Sequence, residues 1–148
     1  MSKADIALAK LAVRETIEDY LNFLDAKDWK GIASCFSDDA KSWYNFEPQV
    51  LEGGSGVANW LRARVGPYGA TDHALSNLHI DIDGDLAVCD SRLTASLIYE
   101  VESREKRIAV RAIWYRDKLR RAGDRWLIYE RRHEPQWQYD VPSHSLHL

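Results

Sequence analysis

Histidine is the side chain whose ordinary pKa, about 6.5, suits proton transfer at neutral pH, and five stand in this 148-residue chain. His79, His144 and His147 have no partner that spacing suggests. His73 opens an alternating stretch in which His73, Leu75 and Asn77 would share one face of a strand, and Leu78 and Ile80 the other. An imidazole held protonated at one nitrogen by a carboxylate is a general base at the other, contributing ~10²–10⁴-fold in rate. Taking a proton from carbon also needs a group that stabilises the anion or helps a leaving group depart. Phenol and guanidinium donors do this, which makes Tyr20, Tyr44, Tyr115 and Arg131 candidates. By the same alternation, Arg111, Ile113 and Tyr115 share a face, as do Tyr129, Arg131 and His133.

Each residue also has a plainer reading. A single strand histidine is most often structural, because pocket residues are few. Asn77 reads as an amide that orients a neighbour, Arg131 as a surface or interface charge and Tyr20 as core.

Other chemistries lack their signatures. Cys35 and Cys89 are isolated and read as small buried apolar residues. Aspartates and histidines are not clustered at ligand spacings, so no metal is expected. There is no GxGxxG, phosphate loop or GxSxG, and no cofactor is expected. The basic run Arg116–Arg121 is interrupted by Asp117 and reads as a solvated hairpin end. With a net charge of -3, a nucleic-acid partner is not expected. No apolar run approaches a membrane span, and Met1–Lys10 lacks the apolar core of a signal peptide, so a cytoplasmic site is the default expectation. Six Trp and seven Tyr are enough to fill a core and still line a pocket for a flat ligand.

Periodicity supplies the elements that would position these residues. Ile6, Ala9, Val13, Ile17, Tyr20, Leu21 and Leu24 recur at helical steps over Ala4–Leu24. A short helix over Trp29–Cys35 follows, capped by Asp28. Ser37–Ala40 reads as a turn, Lys41–Phe46 as a strand, Glu52–Gly56 as a loop and Val57–Arg64 as a third helix closed by Gly66-Pro67. From Thr71 the pattern turns to strands, broken at Asp83-Gly84-Asp85, Ser103–Lys106 and Ala122-Gly123-Asp124, the last strand being Trp126–His133. Residues 134–148, with two prolines, read as a loose extension. Helices first and antiparallel strands later predict one α+β domain over residues 1–148, its N-terminal helices packed on a curved, mainly antiparallel sheet.

Three stretches carry a family resemblance: Tyr20–Trp29 with Phe36–Ala40, His73–Leu78 leading to Asp83-Gly84-Asp85, and Tyr115-Arg116-Asp117 with Gly123–Ile128 and Arg131-Arg132. In order and spacing they resemble the SnoaL-like branch of the nuclear-transport-factor-2-like superfamily, and within it hexachlorocyclohexane dehydrochlorinase and scytalone dehydratase. The resemblance implies a cone-shaped α+β barrel with a cofactor-free His–Asp pair inside. Asp25 falls on the family's catalytic carboxylate and His73 on its catalytic histidine. Arg131 falls near an arginine of some dehydrochlorinases. Tyr20 stands where that enzyme has lysine, which argues against halide elimination.

The expected function is therefore a cofactor-independent lyase for a small, mostly apolar, aromatic molecule. His73 and Asp25 would be catalytic, with Tyr20, Tyr44, Asn77, Tyr115 and Arg131 around the substrate. Dehydration, carbon–carbon cleavage with loss of formaldehyde, and isomerisation all use this equipment. The alternatives are a non-catalytic binding or assembly module, such as a ring-hydroxylating dioxygenase small subunit, and a polyketide cyclase. The resemblance also implies a homodimer or homotrimer.

Overall fold

The computed structural model describes residues 1–144, so His147 lies outside the described residues. α1 (Lys3–Asp25) starts at a capping box in which the Ser2 hydroxyl accepts from the Asp5 amide and the Asp5 carboxylate accepts from the Ser2 amide. Its buried stripe is Ala9, Val13, Thr16, Ile17, Tyr20, Leu21 and Leu24, the periodic set read from the sequence with Thr16 added and Ile6 left half-buried. It ends at Asp25, two residues before Lys27 takes a left-handed φ of 54°. α2 (Trp29–Ser34) is capped by the Asp28 carboxylate, which accepts from the Gly31 amide.

Six strands follow or interleave: β1 (Phe36–Tyr44), β2 (Leu51–Glu52), β3 (Thr71–Asp83), β4 (Leu86–Glu100), β5 (Lys106–Ala122) and β6 (Arg125–Pro142), with α3 (Gly53–Arg64) between β2 and β3. They form one open, curved sheet in the order β2-β1-β6-β5-β4-β3. Only β1 and β6 run parallel. α1 packs on β3 and β6, and α3 on β1 and β2, so the helices cover one face of the sheet. This is the α+β architecture that the sequence implied.

Three boundaries differ from expectation. Ser37–Ala40 is strand, because the chain enters β1 at Phe36 directly beside β6, with the Ile128 amide donating to the Cys35 carbonyl. The glycine-rich run at Gly53–Gly56 is the first turn of α3 rather than a loop. A Cβ on Gly54 would stand 2.1 Å from the Ala33 carbonyl oxygen, so that glycine lets α2 and α3 touch. Finally, the tail is ordered, since β6 pairs with β5 as far as Pro142 opposite Arg107. Its prolines do not break it. Pro135 sits beside a register shift and Pro142 at the strand end, where a missing N–H costs least.

Cys35 and Cys89 are fully buried, and burial pushes their thiols up to about 11 and about 12, leaving them protonated. The largest buried side chains are polar: Arg131, Tyr20, Tyr44 and Tyr115. The interior against α1 is therefore a polar assembly within an apolar shell.

Candidate active site

α1 delivers Asp25 to the start of β3. Its Oδ1 lies 2.6 Å from His73 Nδ1 and accepts from the Thr71 hydroxyl at 2.9 Å, while Oδ2 accepts from the His73 amide at 3.0 Å. A carboxylate only accepts, so Nδ1 carries the hydrogen and Nε2 holds the lone pair. The His73 side chain is 5% exposed and that of Asp25 26%. Burial works to raise the Asp25 carboxyl, but the His73 ring, the His73 amide and Thr71 together outweigh it and hold it below its ordinary value. The stability this carboxylate contributes is thus present above the ordinary carboxylate pKa and lost as acid titrates the folded form.

Tyr20 on α1, Tyr44 on β1 and Tyr115 on β5 meet deeper in the cone. The Tyr20 and Tyr44 hydroxyls are 2.9 Å apart, and the Tyr20 and Tyr115 rings pack edge-on at 5.9 Å. Burial pushes all three phenols up, so they are neutral donors at any physiological pH. Tyr44 also stacks on His133, centroids 4.8 Å apart, and packs on Trp60 at 5.0 Å.

Arg131 lies beneath this group, fully buried. Its Nε and one Nη each donate to Asp117 at 2.7 Å, and its carbon lies 4.2 Å from the centre of the Tyr20 ring and 3.9 Å from that of Tyr115. Burial alone would lower the guanidinium and raise the carboxyl, and their contact opposes both. Burial leaves the Asp117 carboxyl above its ordinary value, and the two parallel bonds to Arg131 are what favour its ionised form. Arg131 is thus committed to Asp117, with only its other Nη unpartnered, and acts as a strut under the tyrosines rather than as a surface charge.

Asn77 is not part of this group. A register shift between Leu75 and Leu78 reverses the alternation of β3, so His73, Leu75, Leu78 and Ile80 turn inward and Asn77 faces out beside Arg92, Trp114 and Arg116. A second irregularity, between Lys118 and Leu119 opposite Ile128 and Glu130, separates Tyr129 from Arg131. Tyr129 instead lies 5.1 Å beneath Arg120. One extra residue in a strand moves every later side chain to the other face.

Asp117, Arg111 and His133 are neighbours that were not singled out as site residues. Alternation through Tyr115 places Arg111 and Asp117 on its face, and Asp117 had been read as an interruption in an exposed basic run. His133 is half-buried with its Nδ1 sealed from solvent, and desolvation first, then Arg131, His73 and Arg111, drives its pKa down to about 3. An unfolded histidine binds its proton near pH ~6.5, so between about pH 3 and 6.5 the unfolded chain holds the extra proton and stability falls as pH falls. We expect a slope approaching ~1.4 kcal/mol per pH unit below pH ~5.5. Urea unfolding of wild type and His133→Phe across this range checks it; equal slopes in the two proteins would refute the assignment.

The comparisons with known proteins bear on this fold. No curated protein gives a significant sequence match. Among solved structures, a type 2 hexachlorocyclohexane dehydrochlorinase, LinA, superposes with a TM-score of 0.80 at 19% identity, covering 99% of this chain and 97% of that one. The LinA-type3 enzyme of Novosphingobium barchaimii LL02 gives 0.78 at 18% identity, over 99% and 98%. A scytalone dehydratase-like protein of Novosphingobium aromaticivorans DSM 12444 gives 0.76 at 21%, over 97% and 93%. At such identities these likenesses speak to the fold alone. Residues 5–132 match the model of the SnoaL-like domain, and the chain belongs to that family.

Proposed function

We propose that the chain is a cofactor-independent lyase for a small, mostly apolar aromatic molecule, with His73 as general base and Asp25 as its partner. The observation that carries this reading is the 2.6 Å contact between Asp25 Oδ1 and His73 Nδ1, clamped by Thr71 and the His73 amide. It orients the ring, directs the lone pair to Nε2 and stabilises the imidazolium once formed.

In a dehydration, the proton leaves carbon for Nε2, the C–H electrons form the double bond, and the C–O bond breaks. The departing oxygen takes a proton from a phenol or from the imidazolium and leaves as water. In a retro-aldol cleavage, Nε2 takes the proton of a hydroxyl, the carbon–carbon bond breaks to give formaldehyde, and the carbon that keeps the electron pair takes a proton back from the imidazolium. Tyr20, Tyr44 and Tyr115 are the neutral donors nearest such chemistry in kind, because burial keeps their protons on.

The test is a panel of hydroxylated aryl compounds, including diaryl alcohols, incubated with protein stripped of metal by chelator and followed for formaldehyde release and new conjugation. Turnover that survives chelation is expected. If it needs an added metal or cofactor, the cofactor-free reading fails.

A self-association reading rests on a separate observation. Trp137, Tyr139 and Val141 are 55%, 53% and 40% exposed and alternate along one face of β6, with the Trp137 and Tyr139 rings stacked 6.0 Å apart. We expect a homodimer or homotrimer burying this stripe. Sedimentation equilibrium that finds only monomer at micromolar protein would dismiss it.

A further inference from the structure

Each carboxylate on the helix-covered face of the sheet already has a partner. Asp25 is matched by His73, Asp117 by Arg131, and Asp140 by Arg107. Arg111, on the same face, has no carboxylate partner among the described residues. Its Nε is buried without a hydrogen bond, and one Nη donates to the Tyr68 hydroxyl at 3.3 Å. A buried guanidinium nitrogen with no acceptor is unfavourable, and an oxyanion is the group that satisfies it best.

Sheet register sets Arg111 relative to the base. His73 pairs with Ala95, and Ala95 with Arg111, so the three form one row across β3, β4 and β5. Two strand spacings place the His73 and Arg111 backbones about 10 Å apart. The residue between them in the row, Ala95, is buried and carries only a methyl group. That spacing matches the length of a flat ring with its reacting carbon at His73 and an acidic substituent at Arg111.

The surroundings fit the same ligand. Lys27 donates to the Gly66 and Tyr68 carbonyls, which fixes the loop that presents Tyr68. The Tyr99 ring packs edge-on against Tyr68 at 6.2 Å. His133 Nδ1 is also buried without a partner.

Resting on the lyase reading above, we propose that Arg111, supported by Tyr68, is the anchor for a carboxylate on the substrate, so that the site takes aryl carboxylic acids in preference to neutral aryl alcohols. A plainer role, with the guanidinium simply hydrated at the rim, would give no preference for acids.

Calorimetric titration separates the two without any need for turnover. The probes are benzoate, phenylacetate and 4-hydroxycinnamate, each beside its methyl ester. The proteins are wild type, Arg111→Gln, Arg111→Lys and His73→Ala, each checked for folding by circular dichroism. At least one acid is expected to bind wild type roughly 10- to 100-fold tighter than its ester, the range given by one charged hydrogen-bonded contact. Arg111→Gln should erase that preference and leave ester binding unchanged, while Arg111→Lys should keep part of it. The proposal is overturned if no acid outbinds its ester on wild type, or if folded Arg111→Gln keeps the preference. His73→Ala should still prefer the acid. Acid preference that depends on Arg111, in a protein that turns over no compound, would sink the lyase reading and leave the anchor standing.

Discussion

Arg131→Ala or Asp117→Ala is expected to cost about 3–5 kcal/mol of folding stability, because each strands the other charge in a fully buried site. Urea unfolding should show the loss as a fall in midpoint at nearly constant slope. The desolvation of both ions is already included in the wild-type stability, so the cost belongs to breaking the pair rather than to its net contribution. The double replacement Arg131→Met with Asp117→Leu is therefore expected to recover most of the loss. The rings of Tyr20 and Tyr115, 4.2 and 3.9 Å from the guanidinium carbon, lose their common support in the single variants. Arg131→Ala should thus lower the activity of the folded fraction as well. A single variant that unfolds within about 1 kcal/mol of wild type would mean the pair is not sealed from water.

The second large effect is on rate. Under the proposed mechanism, His73→Ala is expected to lower kcat/KM by ~10²–10⁴-fold on any compound that wild type turns over, with folding intact. Asp25→Asn should reduce kcat too, since an amide can present its oxygen to Nδ1–H but adds no charge to stabilise the imidazolium. If the loss lies in KM alone, His73 binds substrate without moving its proton. Variants of both residues that stay within tenfold of wild type would remove the pair from the mechanism.

The two groups differ in how far they could be read before the fold. His73 and Asp25 lie 48 residues apart. No local pattern joins them, and the family resemblance was what brought them together; the structure places Nδ1 and Oδ1 in contact. Tyr20 and Tyr44 were named as donors by residue type, and their hydroxyl contact follows from α1 lying across the sheet. Arg131 was named for the same chemistry, yet Asp117 occupies two of its nitrogens. Asn77 was placed inward by strict alternation, and the irregularity between Leu75 and Leu78 turned it out.

Local chemistry alone determined the kinds and order of the elements. Apolar steps of three and four set the α1 stripe, Asp-Gly and Ala-Gly-Asp set the hairpins, and the excess of late strands set an α+β fold. These signals act over a few residues, so they survive without knowledge of the rest of the chain. Tertiary structure alone decided which face each side chain took after a bulge, which glycines served helix contact, and whether the proline-bearing tail joined the sheet. It also decided which charges were neutralised: Asp117 was claimed by Arg131 from the neighbouring strand, and Arg111 was left without an anion among the described residues. Such pairings depend on register between strands many residues apart, a quantity that no single stretch of sequence encodes.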